Sequence, residues 1–110
     1  MLKHKKDHQS LLLSIDSKVL DISNAHELRA AIKHLPAGPF TKIVIDFSDV
    51  EFLDSSGLGV LLTLYKQYPA DGAKQRPAII IQNSRLEVAN VFHLFRLTRV
   101  FTLMDDAMAS

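Results

Sequence analysis

Twice in this chain a short run of β-branched residues leads into an apolar helix pattern, and that alternation restricts the fold more than any other feature. KIVIDF (42–47) is followed by the loop SDVEFLDSS and then by GLGVLLTLYKQY, whereas AIIIQN (78–83) runs directly into SRLEVANVFHLF. Ile43, Val44 and Ile45 are apolar without alternation, which suits a strand at a sheet's centre or one covered on both faces. In the helix that follows, Leu58, Leu61, Leu62 and Tyr65 recur at i, i+3, i+4 and i+7 and should face the sheet. Val60 and Leu64 would then turn toward neighbouring helices or a partner. In the later helix Ser84 and Glu87 stand at capping-box spacing, and Leu86, Ala89, Val91, Phe92 and Phe95 are the apolar set.

Upstream, QSLLLSI and KVLDI read as two short strands joined by a tight turn at Asp16 and Ser17. Asn24 and Glu27 then open NAHELRAAIKHL with capping-box spacing, and Leu28, Ala31, Ile32 and Leu35 form its stripe. Pro36 and Pro39 end it, since neither can continue the hydrogen-bond ladder. PADGAKQRP is a loop, RVFTLM a last short strand and DDAMAS a helical turn. The order β–β–α–β–α–β–α–β predicts an α/β domain with a sheet on one side and helices on the other.

At 110 residues the chain suits one domain, and neither a repeat nor a linker interrupts it. With 47% hydrophobic residues it can bury a core without staples. The absence of cysteine excludes disulfides, thiol nucleophiles and Cys-based metal sites. No apolar run approaches the ~18 residues that span a bilayer. The basic start MLKHKKDHQS is followed only by LLLSI, too short for a signal-peptide core, so a cytoplasmic, membrane-free protein is expected. Lys3, Lys5 and Lys6 against Asp7 place +2 in residues 1–8, so with a net charge of +1 the rest carries −1. Residues 1–8 read as a basic, solvated arm and 9–110 as the folded domain. A nearly neutral body has no footprint for nucleic acid.

One stretch resists a purely structural reading. In DFSDVEFLDSSGLGVLLTLYK, two glycines fall in the first turns of the helix, each costing about 1 kcal/mol relative to alanine. Ser55 and Ser56 could be ordinary capping hydroxyls. Asp46, Asp49, Glu51 and Asp54 match no Ca²⁺ loop and no receiver-type acidic pair, so no metal site is expected. His4, His8, His26, His34 and His93 are scattered, and there is no Gly-x-Ser-x-Gly turn to make Ser56 an acyl-transfer nucleophile. There is also no Gly-rich phosphate loop. An enzyme is not expected.

The same stretch closely resembles the signature of STAS domains, in particular the bacterial anti-sigma factor antagonists. The family's hydrophobic strand, Asp-x-Ser-x-Val, apolar pair and Asp-Ser-Ser-Gly-Leu-Gly are matched by Asp46, Ser48, Val50, Phe52, Leu53, Asp54, Ser55, Ser56, Gly57, Leu58 and Gly59. KVLDISNAHELRAAI is similar to the family's first turn and helix through Leu20, Asp21, Asn24 and Leu28, and FRLTRVFTLMDDAMA to its closing segment. Lys18 and Arg96 stand where the family commonly has glycine.

The resemblance implies a STAS-like mixed sheet of four to five strands with helices mainly on one face. It also implies partner switching. The unmodified protein binds an anti-sigma factor or HATPase-type serine kinase, phosphorylation of Ser56 breaks that complex, and a PP2C-like phosphatase restores it. ATP would come with the partner, so no cofactor is implied. Asp21, Asn24, Asp54, Ser55, Ser56, Gly57, Leu58 and Gly59 are the implied partner-binding residues. Gly57 and Gly59 would then let a partner approach the backbone, and free N–H groups at the helix start would receive the phosphate. The output could be sigma-factor release, or biofilm, motility, secretion or stress control. The alternative within the fold is an unphosphorylated structural subunit of a bacterial lipid-transport ABC complex, and a hydrolase using Ser56 is a distant third.

Overall fold

The computed structural model describes residues 1–70 and 75–104; the helical turn expected in DDAMAS lies outside them. The elements run β1 (Leu2–Asp7), β2 (Ser10–Ile15), β3 (Val19–Leu20), α1 (Ala25–Lys33), β4 (Lys42–Asp46), β5 (Phe52–Leu53), α2 (Ser55–Gln67), β6 (Ala78–Gln82), α3 (Leu86–Leu94) and β7 (Phe101–Leu103). Five strands make a mixed sheet in the order β1-β2-β4-β6-β7, antiparallel only between β1 and β2. Two further short strands, β3 and β5, pair in parallel beside it.

Register explains the core. Leu11, Ile43, Ile79 and Phe101 lie level across the sheet, as do Leu13, Ile45, Ile81 and Leu103, and all eight are buried. Alternation sends Leu12, Val44 and Ile80 to the other face, where they stay partly open. The helices therefore cover one face, as expected. Each fully buried Leu or Ile contributes roughly 1.5–3 kcal/mol, so these two rows anchor the domain. Phe92 ties α3 to the sheet, 5.4 Å from Phe101 and 6.0 Å from Phe47 between ring centroids.

Several expectations are corrected. KVLDI does not form a hairpin with LLLSI. The antiparallel partner of β2 is β1, built from the residues read as a solvated arm. Their side chains are mostly exposed, so charge alone suggested an arm, but their backbone pairs throughout Leu2–Asp7. The loop before α2 contains β5, too short for a period-2 pattern to reveal.

On α2 the inward stripe is Gly57, Leu58, Val60, Leu61 and Leu64, so Val60 and Leu64 are core while Leu62 and Tyr65 are only partly buried. The helix starts at Ser55, two residues earlier than GLGV suggests, because Asp54 caps it. On α3 the buried set is Val88, Ala89 and Phe92, and Leu86 and Phe95 are exposed. Neither expected capping box forms: α3 has Arg85 at its N-cap, and Asn24, at the N-cap of α1, makes no capping bond.

Two departures from the usual glycines behave differently. Arg96 adopts φ 56°, the left-handed region that favours glycine. Lys18 has no such backbone, and its carbonyl accepts from Glu51 N at 2.7 Å and Phe52 N at 3.1 Å.

Candidate functional site

The first turn of α2 is set by one carboxylate. Asp54 Oδ1 accepts from the backbone N–H of Ser56 at 2.9 Å and of Gly57 at 3.2 Å. An anion at this position satisfies two otherwise orphaned donors and meets the positive end of the helix. Ser55 and Ser56 are therefore not the caps. Ser55 is exposed and Ser56 partly exposed, and neither hydroxyl has a hydrogen-bond partner among the described residues. Two of the N–H groups expected to receive a phosphate, those of Ser56 and Gly57, are already occupied. A phosphoryl group on Ser56 would add about −1.5 to −2 charges beside Asp54, and its effect would come through charge at the surface.

Gly57 answers to packing. It is buried, and a Cβ there would stand 2.5 Å from the carbonyl oxygen of Leu20 and 2.8 Å from Leu53 Cδ1. The start of α2 thus presses directly on the β3–β5 pair, where Asp54 N also donates to Leu20 O at 3.2 Å. This corrects the expectation that Gly57 opens the backbone to a partner. Gly59 is different: it is partly exposed, and a Cβ there would meet nothing within 4 Å. Of the two glycines, only Gly59 leaves open space beside the helix backbone.

The loop beside Leu20 is held by Asn24. Its Oδ1 accepts from Asp21 N at 3.1 Å, and its Nδ2 donates to Val19 O at 2.8 Å and Ser17 Oγ at 3.1 Å. Asp21 accepts from the backbone N–H of Ser23 at 2.9 Å and from the Ser23 hydroxyl. Asn24 therefore shapes, by bonds inside the loop, the segment that meets Asp54 and Gly57 through Leu20. Leu58 is buried and contributes to the core. The structure brings Leu20, Leu53, Asp54 and Gly57 together at the start of α2, with Ser55, Ser56 and Gly59 presented on the surface.

Sequence reasoning named Leu20, Leu53 and Ser17 without giving them a part in this site, and it did not single out Asn83. Asn83 Nδ2 donates to Asp46 Oδ1 at 3.0 Å, and Ser48 donates to the same carboxylate through its N–H at 3.0 Å and its hydroxyl at 3.2 Å. The amide of Asn83 is the main cause holding the Asp46 carboxyl below its usual range; the Ser48 bonds act the same way against a modest burial effect. The signal was available, since Asn after a strand readily takes the left-handed backbone seen at Asn83 (φ 60°).

A cavity of about 740 Å³, lined by Gln9, Phe40, Tyr68 and Arg76 among others, lies at the C-terminal end of α2. A helix of this length puts it roughly 20 Å from Ser56. Among the described residues no helix is long and apolar enough to cross a membrane.

Comparison with known proteins agrees with the fold. The STAS domain family profile matches residues 1–108. A candidate anti-sigma factor antagonist of Thermotoga neapolitana is 28% identical over 103 residues, covering 91% of this chain and 88% of its own. The crystal structure of an anti-sigma factor antagonist from Mycobacterium paratuberculosis superposes with a TM-score of 0.68 at 27% identity, over 99% of this chain and 91% of that one. The Bacillus cell fate determinant SpoIIAA, in its phosphorylated form, shares the fold with a TM-score of 0.61 at 22% identity, over 99% of this chain and 96% of that one.

Proposed function

The chain belongs to the STAS domain family, and on that footing we propose that it is a partner-switching regulator of the anti-sigma factor antagonist type. In this reading it binds an anti-sigma factor or HATPase-type serine kinase when unmodified and is released when Ser56 is phosphorylated. A PP2C-like phosphatase resets it. The observation that carries the reading is that Asp54 already caps α2, which leaves the Ser56 hydroxyl without a structural task at a surface turn. The relatives named as anti-sigma factor antagonists support the same role.

In the unmodified state the partner meets a surface whose local charge includes Asp21 and Asp54, with Gly59 leaving the helix backbone open beside Ser56. Addition of a dianion there sets like charges next to Asp54, and a groove fitted to a hydroxyl is opposed by charge and bulk together. The transferred phosphoryl group leaves ATP for Ser56 Oγ, and the hydroxyl proton passes to a base of the kinase.

The test is incubation with ATP and the HATPase-type serine kinases of the same organism, read by mass spectrometry. One phosphate on Ser56, lost in Ser56→Ala, is the expected result. Labelling that persists in Ser56→Ala, or falls wholly on Ser55, overturns the assignment.

A further inference from the structure

The sheet gives one face to the core and leaves an apolar row on the other. Leu12, Val44 and Ile80 lie level across β2, β4 and β6, each partly exposed. They belong neither to the buried core nor to the partly buried side chains packed against it. Parallel strands normally have both faces covered, and three of the four pairings in this sheet are parallel.

The rows on either side of the apolar one identify what fits this face. Lys3, Ser14, Asp46 and Gln82 are level at one end of the strands, and Asp7, Ser10, Lys42 and Ala78 at the other. Lys5 and Thr102 close the apolar row at its two edges. Strand β4 therefore shows a cation and a carboxylate on this face, Lys42 and Asp46, about 13 Å apart with Val44 midway. Strand β1 shows Asp7 and Lys3 about Lys5 in the same way. Asn83 and Ser48 hold the Asp46 carboxylate in place.

We propose that a second copy of this chain packs on this face, sheet against sheet, about a two-fold axis that runs across the strands at the level of Val44. Such an axis lays each strand, reversed, over the same strand of the copy. Leu12, Val44 and Ile80 then rest on their own counterparts, with the sheets about 10 Å apart. Lys42 comes opposite Asp46 of the copy, and Asp46 opposite Lys42 of the copy. On β1, Lys3 and Asp7 exchange partners likewise. Lys5 meets its counterpart at the rim, where both ammonium groups turn into water. Sheet twist sets the two layers about 30° apart, so the closest charge pairs are those on the central strand β4. An axis running along β4 would instead set Asp46 on Asp46 and Lys42 on Lys42. The charge pattern selects the crosswise axis.

Five strands span only about 19 Å, so the interface is below the standard size and the dimer is reversible. None of these residues belongs to the Ser56 turn, and the inference does not rest on the switching role.

Sedimentation equilibrium of the full chain from micromolar to millimolar concentration tests it. A concentration-dependent dimer is expected, tighter at low salt than at high. Lys42→Glu sets a carboxylate against Asp46 twice in each dimer and should raise the dissociation constant at least tenfold. Lys42 is exposed at the first residue of β4, so this variant should melt as the unsubstituted chain does at micromolar concentration. Methyl NMR of the unsubstituted chain locates the contact without any mutation. The methyl groups of Leu12, Val44 and Ile80 should shift with rising concentration, and those of Leu86 and Leu94, exposed on α3, should not. A monomer at every concentration overturns the proposal, as does a dimer that Lys42→Glu leaves unchanged or one whose shifts fall on α3. If a chain ending at Met104 dimerised where the full chain did not, residues 105–110 would be the occupant and the proposal would fail.

Discussion

Gly57 lies so close to Leu20 that a methyl group on Gly57 would stand 2.5 Å from the Leu20 carbonyl oxygen. The start of α2 and strand β3 are thus locked by contact of backbone on backbone, and the surface around Ser56 inherits its shape from that contact. Backbone cannot yield as a flexible side chain does. Gly57→Ala should destabilise by roughly 1–3 kcal/mol, the usual cost of overpacking. Gly59→Ala meets open space and should gain up to about 1 kcal/mol from helix propensity. Urea denaturation of the two variants checks this. Equal effects would show that the close approach at Gly57 is not a constraint.

Capping and signalling are assigned to different side chains, which mutation can separate. Asp54→Ala should lose about 0.5–2 kcal/mol, the value of an N-cap. Ser56→Ala should change stability by no more than about 0.5 kcal/mol, since its hydroxyl supports nothing in the fold. Thermal and chemical melts of both variants decide it. If Ser56→Ala proved the more damaging, Ser56 would be structural and the switching role would lose its main support.

Charge at position 56 should act on binding and leave the fold intact. Ser56→Asp is expected to keep its far-UV circular dichroism and a cooperative melt. It should bind the kinase or anti-sigma partner at least tenfold more weakly, about 1.4 kcal/mol or more. Ser56→Ala should bind as the unmodified protein does. Aspartate carries fewer charges than phosphate, so calorimetry on the phosphorylated protein is the stricter measurement. Equal affinity of phosphorylated and unmodified protein would remove the switch.

Asp46 links the sheet to acid stability. Its folded carboxyl lies below the usual 3.8, chiefly through the Asn83 amide. A depressed folded value means that the stabilisation is fully present above the unfolded value and is lost as pH falls through the folded one. Acid titration below about pH 4 should therefore release part of the stability. Asp46→Asn should flatten the curve in that window, and Asn83→Ala should raise the Asp46 titration midpoint seen by carboxyl NMR. A midpoint unmoved by Asn83→Ala would show that another contact holds the charge.

Much of the architecture was legible in residues 42–67 and 78–95, because strand and helix differ in period and both helices carry strong apolar patterns. The Ser56 motif was legible too, since a chemical signature depends on order along the chain. The sequence by itself determined the α/β class, the position of the helices and the serine at the turn. Tertiary structure alone decided that Lys3 and its neighbours form a paired strand, that Leu20 and Leu53 make a two-residue ladder, and that Gly57 is sealed against it. It also decided that Asp54, and neither serine, closes the helix. Each of these rests on a contact between segments far apart in sequence or on a choice among adjacent polar groups. Such contacts are fixed by the geometry of close-packed backbone and by which donors the fold leaves unsatisfied, and neither quantity is written in a local pattern.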